Sequence, residues 1–297
     1  MTDPAADPAL LLREATRHTR RGELEAGWRL ASDALARFRA RGDRDGRMRT
    51  INLLGAIAWE RGAVQDAERS FSEALAISEE LGDPTLGART SNNLASVANL
   101  RGHSLRALSL YRQALLNYQR LGDRRGLAET WHNLSLTWRE MERSGEAESA
   151  AREALRHAER AGDHALLALV MTGRAELELR RGDPRVAERT LVQARRLASE
   201  AEDALGQAEA ERVQALLYLR DGKPELAFRA AVGARSVADV HGSALLAAEC
   251  SAVAAVAART LRHVDAETHA AMARAGFETL HAVRLAERFE EEWNRAR

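Results

Sequence analysis

The stretch that decides the fold is TLGARTSNNLASVANLRGHSLRALSLYRQALLNYQRLGD, residues 85–123. Its apolar residues recur at three- and four-residue intervals on both sides of Arg101-Gly102, the spacing of one helix face. Glycine ends helices because it adopts the left-handed backbone without strain. The stretch therefore predicts two amphipathic helices joined by a tight turn at Arg101-Gly102.

The same pattern recurs along the chain with a step of 40 residues. A second ladder of Gly-Asp pairs has the same step and ends at Asp203. The turn glycines are Gly22, Gly62, Gly102, Gly182 and Gly222, with Glu142 in the one remaining position. A fixed period of this length indicates a solenoid or an array. Because Glu142 replaces a glycine, we expect a wider turn there.

These boundaries predict an all-α chain, a right-handed superhelical solenoid of about seven helix pairs with a C-terminal capping helix. We expect an N-terminal tail at 1–8 and the capping helix at 281–297. The array at 9–280 divides into units at about 9–41, 45–81, 85–121, 125–161, 165–201, 205–241 and 245–280.

Composition excludes several classes of function. Lys plus Arg and Asp plus Glu both number 44, so the net charge is zero and gives no general affinity for nucleic acid or membrane. No window reaches the roughly 20 apolar residues of a membrane span, and the N-terminus lacks the pattern of a secretory signal. Cys250 is the only cysteine, which excludes an internal disulfide. We therefore expect a cytoplasmic protein that binds neither nucleic acid nor membrane.

Small residues keep the same register in successive units. AERSFSEA (67–74) and ALSLYRQA (107–114) each place an alanine four before an aromatic residue and seven before another alanine, and GELEAGWRLASDA (22–34) follows the pattern more loosely. This pattern resembles the tetratricopeptide repeat, over about residues 9–280. The step of 40 exceeds the usual 34 and is similar to the longer-helix variety. That variety occurs in bacterial peptide-responsive regulators, in sensor arrays of transcription activators and in kinesin-light-chain adaptors.

The resemblance implies a binding surface, because the first helices of such arrays line the concave face. A carboxamide offers both a donor and an acceptor to the backbone of an extended peptide. Arginines suit carboxylates, and Trp59 suits an apolar anchor. We expect units two to four to do most of the binding, through Arg49, Asn52, Trp59, Arg89, Asn92, Asn93, Ser96, Asn99, Glu129, His132, Asn133 and Arg139. The same register also includes Ala56, Leu136, Thr172, Glu176, Glu209 and Arg212.

Two other interpretations of these residues stay open or are set aside. The inward asparagines could instead bond neighbouring helices or water in the groove. The arginine, histidine and asparagine identities partly resemble the carboxylate clamp of chaperone-cochaperone arrays. That clamp relies on lysines, however, and the only lysine is Lys223.

No motif indicates catalysis. The chain has no glycine-rich phosphate loop, nucleophile elbow or HExxH, and His263, Asp265 and His269 are too few to predict a metal site. We predict no enzyme activity, no cofactor and no metal.

The leading hypothesis is a scaffold or adaptor that binds an extended peptide or a protein segment in its concave groove. The first alternative is a signal-responsive regulator whose array binds a small effector or signalling peptide and relays it to a partner. The second is a self-assembling structural protein, in which the C-terminal helix docks into another copy.

Overall fold

The computed structural model describes residues 7–296, which form fifteen α-helices and no strand. The helices are α1 (Pro8–Arg20), α2 (Leu24–Ala40), α3 (Arg44–Glu60), α4 (Val64–Leu81), α5 (Pro84–Leu100), α6 (Ser104–Leu121), α7 (Arg124–Glu140), α8 (Ser144–Ala161), α9 (His164–Arg181), α10 (Pro184–Glu200), α11 (Ala204–Arg220), α12 (Pro224–Val240), α13 (Ala244–Thr260), α14 (Ala266–Thr279) and α15 (Val283–Arg295).

Helices α1 to α14 form seven antiparallel pairs, and α15 follows them. This arrangement confirms the predicted all-α solenoid with an additional C-terminal helix. From the second unit onward, the first helices begin at intervals of 40 residues, at Arg44, Pro84, Arg124, His164, Ala204 and Ala244. Of the expected N-terminal tail, residues 1–6 lie outside the described residues, and α1 begins at Pro8.

Aspartates fix where the first helices begin. The side chain of Asp83 accepts from the backbone N–H groups of Thr85 and Leu86 at 2.9 and 3.1 Å, and Asp123 accepts from Gly126 at 3.0 Å. Such a cap satisfies N–H groups that the helix itself cannot pair, and it contributes about 1 kcal/mol. The repeated Gly-Asp pair therefore sets both the end of one helix and the start of the next.

The expectation of a wider turn at Glu142 is wrong. Glu142 adopts the left-handed backbone with φ of 60°, close to the 79° of Gly102. Its N–H bonds the carbonyl of Arg139 at 3.0 Å, as the N–H of Gly102 bonds Asn99 at 2.9 Å. The packed helix pairs on both sides fix the geometry of the turn. Glu142 is therefore held in a left-handed backbone conformation that is strained for a residue with a Cβ but not for glycine.

The core depends on alanines that let helix axes approach closely. Ala67, Ala107, Ala147, Ala187 and Ala227 occupy one register position on the second helices and are fully buried. Bulkier side chains four residues later, among them Phe71 and Tyr111, fill the space between units. A larger residue at the alanine position would overpack this contact, at a cost of about 1–3 kcal/mol.

The solenoid closes on itself, so that the first units contact the last ones. A Cβ added at Gly62 would lie 3.0 Å from Cβ of Ala244 and 3.2 Å from Cδ2 of Leu280. One at Gly22 would lie 3.2 Å from Nδ1 of His241. We call this contact between the α1–α2 and α3–α4 turns and helices α12 to α14 the seam. It closes one side of the concave groove, which stays partly open to solvent.

Helix α15 covers the inner side of the seam. Its apolar residues Leu285, Phe289 and Trp293 are buried in a cluster that also contains Phe71 and Leu100 of units two and three. The guanidinium of Arg284 donates to the backbone carbonyl of Glu140, at the end of α7, over 2.9 Å. The C-terminal helix is thus joined to the middle of the array. None of the helices among residues 7–296 is long and apolar enough to cross a membrane.

Candidate functional site

The concave side contains a partly open cavity of about 400 Å³. Its walls are mainly the first helices of units two to seven, and α4, α6 and α15 contribute Phe71, Tyr111 and Leu285. The lining residues are Ala56, Trp59, Glu60, Phe71, Asn92, Asn93, Ser96, Asn99, Leu100, Tyr111, His132, Asn133, Leu136, Arg139, Glu140, Leu169, Gly173, Glu176, Glu209, Arg212, Leu245, Glu249 and Leu285.

Eight of the twelve predicted binding residues line this cavity: Trp59, Asn92, Asn93, Ser96, Asn99, His132, Asn133 and Arg139. The other four do not. Arg49 is exposed and pairs with Asp45 at 2.9 Å, and Glu129 pairs with Arg125 at 3.0 Å. Arg49, Arg89 and Glu129 share one register position, nearer the start of their helices than the cavity.

Several inward asparagines bond neighbouring helices. Asn52 is buried, and its Oδ1 accepts from the hydroxyl of Thr90 on the next unit at 3.0 Å. Asn133 donates from Nδ2 to Oδ1 of Asn92 at 3.3 Å and to the hydroxyl of Ser96 at 3.4 Å. These bonds join α3 to α5 and α5 to α7, so they stabilise the stacking of units as well as shaping the cavity wall.

Asn93 is different, because its side chain makes no hydrogen bond to another described residue. It is half-buried and lines the same cavity as the bonded pair Asn92–Asn133 and the apolar side chains of Leu136 and Leu169. Its donor and acceptor are therefore both available to a molecule in the cavity.

The end of the cavity at Asn99 contains polar atoms without partners. Nδ2 of Asn99 donates to Oε2 of Glu140 at 2.8 Å, but its Oδ1 is buried and has no donor among the described residues. The side chain of Arg139 is 8% exposed, and its Nη1 lies 3.0 Å from Oε2 of Glu176. Its Nε–H is buried and has no acceptor.

A network of buried charges, which begins at Arg139, forms another part of the lining, here called the charged wall. The carboxylate of Glu176 is 3% exposed and contacts the guanidinium groups of Arg139, Arg180 and Arg212 at 3.0, 3.1 and 2.8 Å. Arg212 also pairs with Glu209 at 2.6 Å. Burial alone would raise the pKa of Glu176, but the three guanidinium groups hold it well below its usual range. This wall is therefore permanently charged and internally compensated.

The pKa values of three other cavity groups are shifted in the direction that favours the neutral form. Burial raises the pKa of Glu60 and of Glu140, the latter despite opposing contributions from Arg139 and Asn99. Burial and the charge of Arg139 lower the pKa of His132 to about 4. His132 is therefore a neutral ring at neutral pH.

Glu60, Glu140 and Leu285 are among the lining residues that were not predicted from the sequence. Glu60 and Glu140 occupy the same register position, one residue after Trp59 and Arg139, so the repeat period itself was the signal that could have found them. Leu285 could not be found this way, because α15 lies outside the repeat. Among residues 7–296 no group of three His, Cys, Asp or Glu side chains is placed to hold a metal ion.

One family model matches part of the chain. The tetratricopeptide-repeat model matches residues 88–160, which span most of α5 to α8. No curated protein has a significantly similar sequence.

Solved structures of the same architecture cover nearly the whole chain. A Rap protein in complex with the Competence and Sporulation Factor is 13% identical, with a TM-score of 0.77 over 98% of this chain and 78% of that one. NprR with its cognate peptide NprX is 14% identical, with a TM-score of 0.71 over 99% and 86% of the two chains. A tetratricopeptide-repeat protein from Parabacteroides merdae is 19% identical, with a TM-score of 0.52 over 97% of both. This chain therefore contains tetratricopeptide repeats at residues 88–160 and has the fold of a tetratricopeptide-repeat solenoid over its described length.

Proposed function

We propose that this protein is a non-enzymatic binding protein that holds a peptide, or an extended segment of a partner protein, in the cavity on its concave side. The observation that carries the proposal is the free carboxamide of Asn93, which lines the same cavity as Trp59, Leu136 and Leu169. A backbone amide supplies the complementary donor and acceptor. The indole and the two leucines offer apolar contact to a side chain.

The size of the cavity limits the ligand. A volume of about 400 Å³ lies in the lower part of the range of small-ligand pockets. A peptide of a few residues fits that space, and a longer segment would need the seam or α15 to move. The solved NprR and Rap structures with peptides have the same fold, which supports a peptide as the ligand class.

The cavity chemistry supports binding rather than catalysis. The hydroxyl of Ser96 lies 3.1 Å from the hydroxyl of Tyr111 and accepts from Asn133, and neither partner is a base that could activate it. The buried arginines and glutamates of the charged wall are engaged with one another.

A second candidate function is the signal-responsive regulator, and the position of α15 favours it. Leu285 of α15 lines the cavity, and the neighbouring Arg284 bonds the end of α7. A ligand that displaced Leu285 would move a helix whose outer side faces solvent, where a partner could detect the change. The self-assembly hypothesis is less supported, because the apolar side of α15 is buried in its own chain.

Affinity capture from the native lysate tests the proposal. The bait chains are the wild type, the cavity variant Asn93→Ala/Leu136→Gln and the control Leu116→Gln, whose site on α6 is 56% exposed. We expect the wild type and the control to retain the same peptide or protein, and the cavity variant to lose it. Equal capture by all three chains of matched helicity, or no capture, would contradict binding in the cavity.

A further inference from the structure

We propose that the Glu60 end of the cavity is a subsite for a cationic group, so that the bound peptide carries an arginine, a lysine or a free amino terminus there. This inference rests on the proposed function and names the chemistry of its ligand. The subsite is centred on Glu60 and the neighbouring Trp59 at the end of α3, and Asn99 and Glu140, near the ends of α5 and α7, line the same cavity.

Glu60 and Glu140 provide carboxyl acceptors that lack a cationic donor. Glu60 makes no hydrogen bond or ion pair with another described residue. Glu140 accepts a hydrogen bond from the amide of Asn99, and no cationic group lies within ion-pair distance of it in the described chain. Both carboxyl groups are shielded from bulk water, which is costly for an unpaired charge. A ligand rich in N–H donors would satisfy them.

Acidic groups outnumber basic groups in the cavity lining. The lining includes the five carboxyl groups of Glu60, Glu140, Glu176, Glu209 and Glu249, but only the two guanidinium groups of Arg139 and Arg212. Both arginines are directed at Glu176. Both guanidinium groups of the lining are therefore engaged at the charged wall, and Glu60 has no arginine partner among the described residues.

Asn99 and Arg139 each have a buried polar atom without a hydrogen-bond partner. Oδ1 of Asn99 lacks a donor, and the Nε–H of the nine-tenths-buried Arg139 lacks an acceptor. The two residues occupy the same register position on adjacent units. A peptide unit supplies the missing pair, with its N–H for Asn99 and its C=O for Arg139. A polypeptide backbone beside the carboxyl groups would place a basic side chain within their reach.

The ends of the lining helices favour the same sign of charge. The last carbonyl groups of a helix carry partial negative charge. Arg284 bonds the carbonyl of Glu140 at the end of α7 at 2.9 Å, and Arg220 bonds that of Leu179 near the end of α9 at 2.6 Å. Helix α3 ends at Glu60 without such an arginine among the described residues. The indole of Trp59 adds an aromatic face of the kind that attracts guanidinium and ammonium groups.

Equilibrium dialysis with defined peptide pools tests the subsite. All pools are amidated pentapeptides that are randomised except at the central position. The first two are acetylated and carry either arginine or citrulline, its uncharged isostere, at the centre. The third carries citrulline and a free amino terminus. The protein samples are the wild type, Glu60→Gln and the control Glu79→Gln, which is exposed on α4.

We expect the wild type and Glu79→Gln to retain the arginine pool about tenfold better than the acetylated citrulline pool, the contribution of one charge-assisted hydrogen bond. Glu60→Gln should retain the two pools nearly equally. Preferential retention of the free-amine pool, also lost in Glu60→Gln, would support the cationic subsite and assign the charge to the amino terminus.

Three results would overturn the inference. If the wild type retains arginine and citrulline pools equally, the subsite does not select charge, although retention itself leaves the proposed function intact. A preference that persists in Glu60→Gln would place the subsite elsewhere. Failure to retain any pool would count against both proposals. Glu60→Gln replaces an unpaired shielded carboxyl with a neutral group, so we expect it to fold, and matched helicity by circular dichroism verifies this.

Discussion

Asn133 and Asn92 hydrogen-bond each other across a unit boundary, with 3.3 Å between Nδ2 of Asn133 and Oδ1 of Asn92. The two side chains line the cavity, and they also hold α7 against α5. A loss of ligand binding on substituting either one would therefore have two explanations. Asn93, whose side chain is free, is the cleaner probe of binding.

The Asn92–Asn133 bond predicts a coupled effect on stability. We expect Asn92→Ala and Asn133→Ala each to lower the free energy of unfolding by about 0.5–1.5 kcal/mol, the contribution of one hydrogen bond. The double variant should lose less than the sum, because either substitution removes the shared bond. Urea denaturation followed by circular dichroism measures this cycle. Strictly additive losses would mean that the bond contributes nothing.

The left-handed backbone of Glu142 predicts a stabilising substitution. We expect Glu142→Gly to raise the free energy of unfolding by about 1 kcal/mol, since glycine adopts a positive φ without the steric cost of a Cβ. The reverse change at the equivalent turn, Gly102→Ala, should lower it by a similar amount, because its φ is 79° and no neighbouring atom lies within 4 Å of the added Cβ. A destabilised Glu142→Gly chain would show that Glu142 contributes contacts that outweigh its strain.

Gly62 and Gly102 together test the seam. Their φ angles are 74° and 79°, so alanine is strained equally at both. Only the Cβ at Gly62 would press on Ala244 and Leu280, at 3.0 and 3.2 Å. We expect Gly62→Ala to lower the melting temperature more than Gly102→Ala and to increase the radius of gyration in small-angle X-ray scattering. Equal dimensions and equal melting temperatures would indicate that the seam is open in solution.

The seam also marks the limit of what the sequence could predict. The 40-residue ladders gave the helix pairs, because each turn and cap depends on residues only a few positions apart. The closing contact of Gly62 with Leu280 depends instead on small rotations that accumulate over four intervening units. No local pattern encodes that sum, so the closure of the solenoid and the role of α15 could not be predicted.

The candidate site was predicted only in part, because its extent also depends on how the units pack. The register placed Asn93 and Trp59 on the concave side, but it could not tell how deep along the helix the cavity lies. Arg49 and Arg89 share that stripe and fall outside the cavity. Nor could the register show that Asn52 is committed to Thr90, since that bond depends on the packing distance between α3 and α5.

The buried charge network predicts a large loss for a single substitution. We expect Glu176→Gln to lower the free energy of unfolding by about 3–5 kcal/mol, because Arg139 and Arg212 would remain buried with less compensation. The matched control is Glu148→Gln, a glutamate that pairs with Arg152 and Arg181 at 3.2 and 2.9 Å on partly exposed side chains; it should cost at most about 1 kcal/mol. Thermal denaturation of both variants compares them. A similar small loss at both sites would mean that the arginines find other partners.

His132 predicts how stability depends on pH. Its pKa is lowered from 6.5 to about 4 in the folded protein, so the unfolded chain binds the proton first as the pH falls. The contribution to stability is therefore complete above pH 6.5 and is lost as the pH falls through 4, by up to about 3 kcal/mol. We expect His132→Gln to remove this part of the acid dependence, whereas His103→Gln, exposed at the α5–α6 turn, should retain it.

Carboxyl groups titrate in the same range, so the measured quantity is the difference in the free energy of unfolding between each variant and the wild type, obtained by urea denaturation at pH 7 and pH 4. If that difference is the same at both pH values for His132→Gln, the ring is not buried as a neutral group, and the wall of the cavity at His132 must be open to water.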